Sequence, residues 1–169
     1  VRPGGSILDF GSGPGGAFVR LLEERGYRSR GYDPIFQPAP PDPGTRFDAA
    51  TMIEVIEHVA DPDAAMEFIT AALGREGDLG TGKRPDRAGA GSSGRVPGGQ
   101  QTPDRTSAGI LVIKTLFAPA EEKDFLSWWY REDITHIIFY PLTALRELVG
   151  RFGFRLLWTD GKETAVFER

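Results

Sequence analysis

Cysteine is absent from this chain of 169 residues. That excludes disulfides, thiolate nucleophiles and any thiol-ligated zinc site. No apolar run approaches the ~18 residues needed to cross a bilayer, and no signal-peptide pattern is present. No charge of one sign dominates, because 20 Lys and Arg stand against 24 Asp and Glu for a net charge of −4. A balance of that kind gives no general pull toward nucleic acid or an anionic membrane, so neither is expected as a partner. Histidine is scarce, with only His58 and His136, and no metal site is expected. A cytoplasmic protein fits these absences. Val1 stands only a few residues before the first apolar run, as in a fragment or a truncated reading frame. Nothing in the sequence fixes an oligomeric state.

What is present is an alternation of strand and helix patterns. Ser6 to Phe10, Arg28 to Tyr32, Phe47 to Ile53 and Ile110 to Thr115 have the length and β-branched or apolar content of strands. Between and after them, Gly16 to Arg25, Pro62 to Leu73 and Leu142 to Phe152 carry helical spacing. Asp61 is the expected N-cap of the second of these helices. Phe154 to Thr159 and Thr164 to Glu168, joined through Asp160-Gly161, predict a closing antiparallel hairpin. The pattern predicts one Rossmann-like, doubly wound α/β domain over residues 1–169, with a mostly parallel sheet. The third strand of such a sheet is reduced here to residues 35–46, where Pro38, Pro40, Pro41 and Pro43 forbid a central strand. Gly74 to Ala108 holds nine glycines, three prolines and no aromatic residue. It cannot bury enough surface to offset its ordering entropy, so a disordered insertion is expected.

The densest signal is Ile7-Leu-Asp-Phe-Gly-Ser-Gly-Pro-Gly-Gly16. A strand runs straight into a glycine turn and then a helix N-terminus, which brings bare backbone N–H groups up to a nucleotide-like ligand. Two cofactor classes fit. Gly11, Gly13 and Gly16 satisfy the dinucleotide G-x-G-x-x-G pattern, whereas Asp9, Gly11, Gly13 and Gly15 satisfy a D-x-G-x-G-x-G loop that takes S-adenosylmethionine (SAM). Asp33, about 20 residues beyond the loop, suits the ribose in either class. Asp9 separates them. A carboxylate beside the loop would repel the pyrophosphate of NAD and attract the ammonium and sulfonium of SAM.

Four segments then resemble, in order, the class I SAM-dependent methyltransferases, and especially the bacterial small-molecule methylases. They are L-D-x-G-x-G-x-G at Leu8–Gly15, Y-D-P at Tyr32–Pro34, F-D-x5-E-V-x-E-H-x-x-D-P at Phe47–Pro62, and W-x-Y-x-x-D-x-T-H-x-x-F-Y within Phe125–Tyr140. The resemblance implies SAM as cofactor, held by Asp9, Gly11, Ser12, Gly13 and Gly15, with Asp33 and Pro34 at the ribose. It implies Met52, Ile53 and Glu54 beside the adenine and sulfonium, and Glu57 and His58 bracing the helix that follows. The partner implied is a small-molecule methyl acceptor offering an oxygen, nitrogen or carbon nucleophile. Trp129, Tyr130, His136 and Tyr140 are the acceptor-side candidates, on a loop-to-helix lid over the edge of the sheet. His136 is the candidate general base, with Asp133 or Tyr140 as polar neighbours; a hydrogen-bonded packing histidine is its alternative, and aromatic core packing is that of the Trp-Trp-Tyr cluster. Two other functions stay open: a degenerate methyltransferase fold serving as a binding module, and an NAD-linked oxidoreductase.

Overall fold

The computed structural model describes residues 1–74 and 109–169, so the expected disorder of Gly74 to Ala108 falls, Gly74 apart, outside the described residues. In chain order the elements are β1 (Ser6–Phe10), α1 (Ala17–Glu24), β2 (Arg28–Tyr32), β3 (Ala49–Ile53), α2 (Pro62–Ala72), β4 (Ile110–Lys114), α3 (Glu122–Leu126), α4 (Leu142–Gly150), β5 (Arg155–Thr159) and β6 (Thr164–Glu168). Short 3-10 turns occupy Ile56–His58 and Trp129–Glu132.

The six strands form one sheet in the order β2-β1-β3-β4-β6-β5. The first four are parallel, while β6 runs antiparallel to both β4 and β5. Strand order reverses between β1 and β3, because β2 lies on one side of β1 and the rest of the sheet on the other. Such a switch point leaves a crevice at the C-terminal strand ends, where α/β sheets bind ligands. Residues 34–46 add no strand; only an isolated bridge joins Asp33 to Gln37, as the prolines require.

Alternation along the strands decides what each face of the sheet does. Leu8, Phe10, Ala50, Met52, Leu111, Ile113, Ala165 and Phe167 share one face and pack with Met66 and Ile69 of α2 and Leu145 and Val149 of α4. Ile7, Asp9, Ala49 and Thr51 point the other way, toward the face where α1 lies over Ser29 and Gly31 of β2. Helices thus cover both faces, and the sheet is doubly wound. The second face is thinner, since Val112 and Val166 on it are only half-buried.

The strand expected from Phe47 begins at Ala49. Phe47 instead pairs once with Leu73, and Asp48 turns its carboxylate back to accept from the backbone N–H and hydroxyl of Ser6 at 2.8 and 3.1 Å. The F-D pair of the third motif is therefore a clamp between the starts of β3 and β1. Asp61 caps α2 as expected, accepting from Ala64 N at 3.0 Å. The last helix stops at Gly150, two residues short of Phe152.

Candidate functional site

The expected site residues, apart from the buried side chain of Met52 and core-packed Tyr140, gather at the C-terminal edge of the parallel strands. The glycine loop leaves β1 there, and its shape follows from what crowds it. Gly11 has φ +78°, and a Cβ at that position would collide with both methyl groups of Val55. Only glycine meets both demands. Gly13 and Gly15 differ, because a Cβ on either would meet no atom within 4 Å. The outer side of the loop is therefore open to an approaching ligand.

Gly16, in the left-handed region, ends the loop and caps α1 without any side-chain acceptor, and no acidic residue lies in the first turn of that helix. The leading N–H groups of α1 thus carry positive potential with no anion of the chain set against it. The hydroxyl of Ser12 is buried with no hydrogen-bond partner. Open glycines, an uncapped helix start and an orphaned hydroxyl make a cradle that fits SAM, whose α-carboxylate suits the helix end.

Two carboxylates flank this loop. Asp9 is 3 % exposed and accepts from the Thr51 hydroxyl at 2.7 Å. Burial pushes its carboxyl upward, partly offset by that hydroxyl. Asp33, at the end of β2, accepts from Gly13 N at 2.9 Å through Oδ2, and from Ile35 N and Phe36 N at 2.8 and 3.0 Å through Oδ1. Burial alone would raise its carboxyl, but the N–H groups of Phe36, Ile35 and Gly13 together outweigh it and hold the group below the usual range. Asp33 therefore ties the loop to β2. With three of about four lone-pair sites used, Oδ2 can still accept one further donor.

The other half of the edge lies after β3. Met52 is fully buried in the core, so its side chain stays under the sheet; Ile53 is half-buried. Glu54 takes a left-handed φ of 53°, rare for a residue with a side chain. That turn lets its carboxylate pair with Lys114 at the end of β4 and accept from the Tyr130 hydroxyl at 2.9 Å. The same hydroxyl bonds to buried Glu57 and lies 3.3 Å from Thr115 Oγ1. Burial and the neighbouring Glu57 carboxylate push the Tyr130 phenol far up, so it stays a donor.

Residues 115–141 cross the edge, with a 3-10 turn at Trp129–Glu132 and no further helix before α4 begins at Leu142. Glu57 and His58 hold this crossing segment rather than the following helix. Glu57 O accepts from Ile137 N and Ile138 N at 2.9 and 3.2 Å, and His58 Nδ1 lies 2.9 Å from Thr135 O. His136 is enclosed, with Nδ1 2.8 Å from Tyr130 O, Nε2 3.8 Å from Asp133 Oδ2, and its ring tilted by 43° against Tyr130 with centroids 4.1 Å apart. Of the two neighbours expected for it, Asp133 is there; Tyr140 instead joins the hydrophobic core, its hydroxyl buried and unpartnered and its phenol raised to about 12, chiefly by burial. Trp129 is 68 % exposed and so available to a ligand at the rim. Sequence reasoning missed the Tyr130–Glu54–Glu57 network. The spacing of Glu54 and Glu57 by three residues, followed at once by one of only two histidines, was the available signal.

A family model described as a methyltransferase domain matches residues 2–81. No curated protein matches the sequence. Among solved structures, a chain of the complex between the Haloferax volcanii Trm112 methyltransferase activator and a methyltransferase is 15% identical, over 99% of this chain and 84% of that one, with a TM-score of 0.61. A Thermotoga maritima SAM-dependent methyltransferase, described as a possible histamine N-methyltransferase, is 16% identical over 99% of this chain and 83% of its own, with a TM-score of 0.55. The calicheamicin-biosynthesis methyltransferase CalO1, in its form bound to S-adenosylhomocysteine, is 12% identical over 99% of this chain and 49% of its own, with a TM-score of 0.58. At such identities the likeness is one of fold, and it agrees with the domain match and the motif order. Residues 2–81 match a methyltransferase domain, the fold is that of the class I SAM-dependent methyltransferases, and the cofactor these likenesses indicate is S-adenosylmethionine.

Proposed function

We propose that this chain transfers the methyl group of SAM to a small molecule at the switch-point crevice. The α-carboxylate of SAM lies on the uncapped start of α1, its ammonium near Asp9, and one ribose hydroxyl donates to the remaining lone pair of Asp33 Oδ2. Pro34 borders the ribose. Gly11, Ser12, Gly13 and Gly15 line the methionine end, and the turn from Met52 through Ile53 to Glu54 lies beside the adenine and sulfonium, with Met52 contributing backbone only. The observation that carries this reading is the open, anion-ready glycine loop with a carboxylate directly behind it. A dinucleotide pyrophosphate would bring two more negative charges toward Asp9; SAM brings two positive centres.

The acceptor enters beneath the crossing segment, against exposed Trp129 and the Tyr130–His136 pair, while Tyr140 supports them from the core. Transfer is an in-line displacement at a carbon already activated by the sulfonium, so the chain mainly has to align donor and acceptor. Two structural neighbours carry small-molecule descriptions, one as a possible histamine N-methyltransferase and one from calicheamicin biosynthesis; the same broad acceptor class is proposed here.

Calorimetry on the full chain tests the cofactor site. SAM and S-adenosylhomocysteine are expected to bind in the micromolar range with one equivalent, and Asp33→Ala to abolish measurable binding. A folded sample that binds neither ligand removes the proposal.

A further inference from the structure

Among the described residues, one group of side chains has donors suited to a metal ion. Ligand atoms of Glu57, His58 and His136 all lie within 4.8 Å of one another. They reach this point from separate elements, the 3-10 turn after β3 and the segment that crosses the sheet edge.

The two imidazoles are already oriented. His58 Nδ1 is 2.9 Å from Thr135 O, and His136 Nδ1 is 2.8 Å from Tyr130 O. A carbonyl oxygen only accepts, so each neutral ring carries its proton on Nδ1 and a lone pair on Nε2. Backbone carbonyls perform this same service for histidines that ligate metals. Their ring centroids are 4.8 Å apart, which brings the two rings side by side.

Glu57 supplies an independent observation. It is 1 % exposed, and while Oε1 accepts from Tyr130, Oε2 is enclosed with no hydrogen-bond partner. A buried carboxylate oxygen left without a donor is costly. A cation held with the two histidines would give that carboxylate a partner.

We propose that Glu57, His58 and His136 bind one divalent transition-metal ion, with Tyr130 positioning two of the three: His136 through its carbonyl and Glu57 through its hydroxyl. Two imidazole nitrogens and one carboxylate select a borderline ion such as zinc over magnesium or calcium, which prefer oxygen shells. Three protein ligands leave a coordination position for substrate. The site shares the sheet edge with the glycine loop, since Val55, the residue packed against Gly11, lies between Glu54 and Glu57.

Resting on the methyltransferase reading, the site assigns the acceptor class: a small molecule with a hydroxyl that can coordinate the ion. Coordination lowers the pKa of such a hydroxyl. The hydroxyl proton leaves to solvent, the oxygen lone pair forms the new C–O bond, and the C–S bond breaks with its electron pair going to sulfur. The methyl ether, S-adenosylhomocysteine and one proton are the products.

The test uses untagged full-length protein without SAM, titrated with zinc against a chromophoric chelator. One equivalent is expected to bind, His58→Ala and His136→Ala each to weaken binding about 100-fold, and Tyr130→Phe by roughly 10–100-fold. The wild-type chain gives a second readout that needs no variant, because zinc is expected to shift the proton resonances of its only two histidines. No stoichiometric binding, binding unchanged in the histidine variants, unshifted histidine resonances, or magnesium binding as tightly as zinc each overturn the site. Zinc binding in a chain that calorimetry shows not to bind SAM upholds the metal site and overturns the acceptor assignment.

Discussion

Asp9 is where stability and ligand binding pull against each other. Its carboxyl is pushed up by burial, so the native state holds the charge less well than the unfolded chain does. A group whose folded pKa is raised favours the native state when protonated and opposes it when ionised. Asp9→Asn keeps an oxygen for the Thr51 hydroxyl and removes the charge. The expected result is a higher melting temperature together with weaker SAM binding, read by thermal melts and calorimetry on one preparation. A lower melting temperature contradicts this account of Asp9. Gly11 makes the opposite case, in which fold and site demand the same residue. Gly11→Ala places a Cβ against Val55 at a left-handed φ. A cost of about 2–4 kcal/mol is expected from backbone strain plus overpacking, measurable by denaturant unfolding.

At the scale of elements, the turn of the closing hairpin is tied by the Asp160 carboxylate, with the Thr159 hydroxyl beside it. Asp160 Oδ1 accepts from the N–H groups of Lys162, Glu163 and Thr164, each at 2.9 Å. These bonds, that from Thr164 foremost, lower its carboxyl from 3.8 to about 2. With the folded pKa depressed, the stabilisation is fully present above the unfolded value of 3.8 and is lost as pH falls through about 2. Amide protection across β5 and β6 should therefore fall between pH 4 and about 2, and Asp160→Asn should flatten that dependence. Equal acid sensitivity in the variant would count against the assignment. The hairpin is also where the sequence was most legible, because Asp-Gly between two apolar runs states its turn chemistry locally. Strands β1, β2 and β4, the caps and the proline-barred third strand were legible for the same reason. The crossing segment was not. Its residues belong to no period, and the partners of the Tyr130 hydroxyl come from the turns that follow β3 and β4, which no local pattern announces. The expectation that Glu57 and His58 brace the next helix failed on that point: their bonds run instead across the edge to residues 135–138.

For the whole molecule, the sheet order and the placement of the loop do more than any single residue. Parallel strands β1, β2 and β3 bring Asp9, Asp33 and Glu54 to one edge although 45 residues separate the first from the last. The meeting of the glycine loop with Asp33 was legible because these residues lie in one strand-turn-helix unit and its register partner. The other end of the edge depends on tertiary contacts, through which Tyr140 joins the core and Glu57 meets the Tyr130 hydroxyl. A ligand that binds only the native state stabilises it by RT ln(1 + [L]/Kd), about 2.7 kcal/mol at a hundredfold excess over Kd. The central claim is that the glycine loop is built for a cationic methyl donor and not for a dinucleotide. The most direct test is the melting temperature of the full chain with saturating S-adenosylhomocysteine and, separately, with saturating NADH. The account predicts a clear rise with the first and none with the second; a rise with NADH and none with S-adenosylhomocysteine would contradict it.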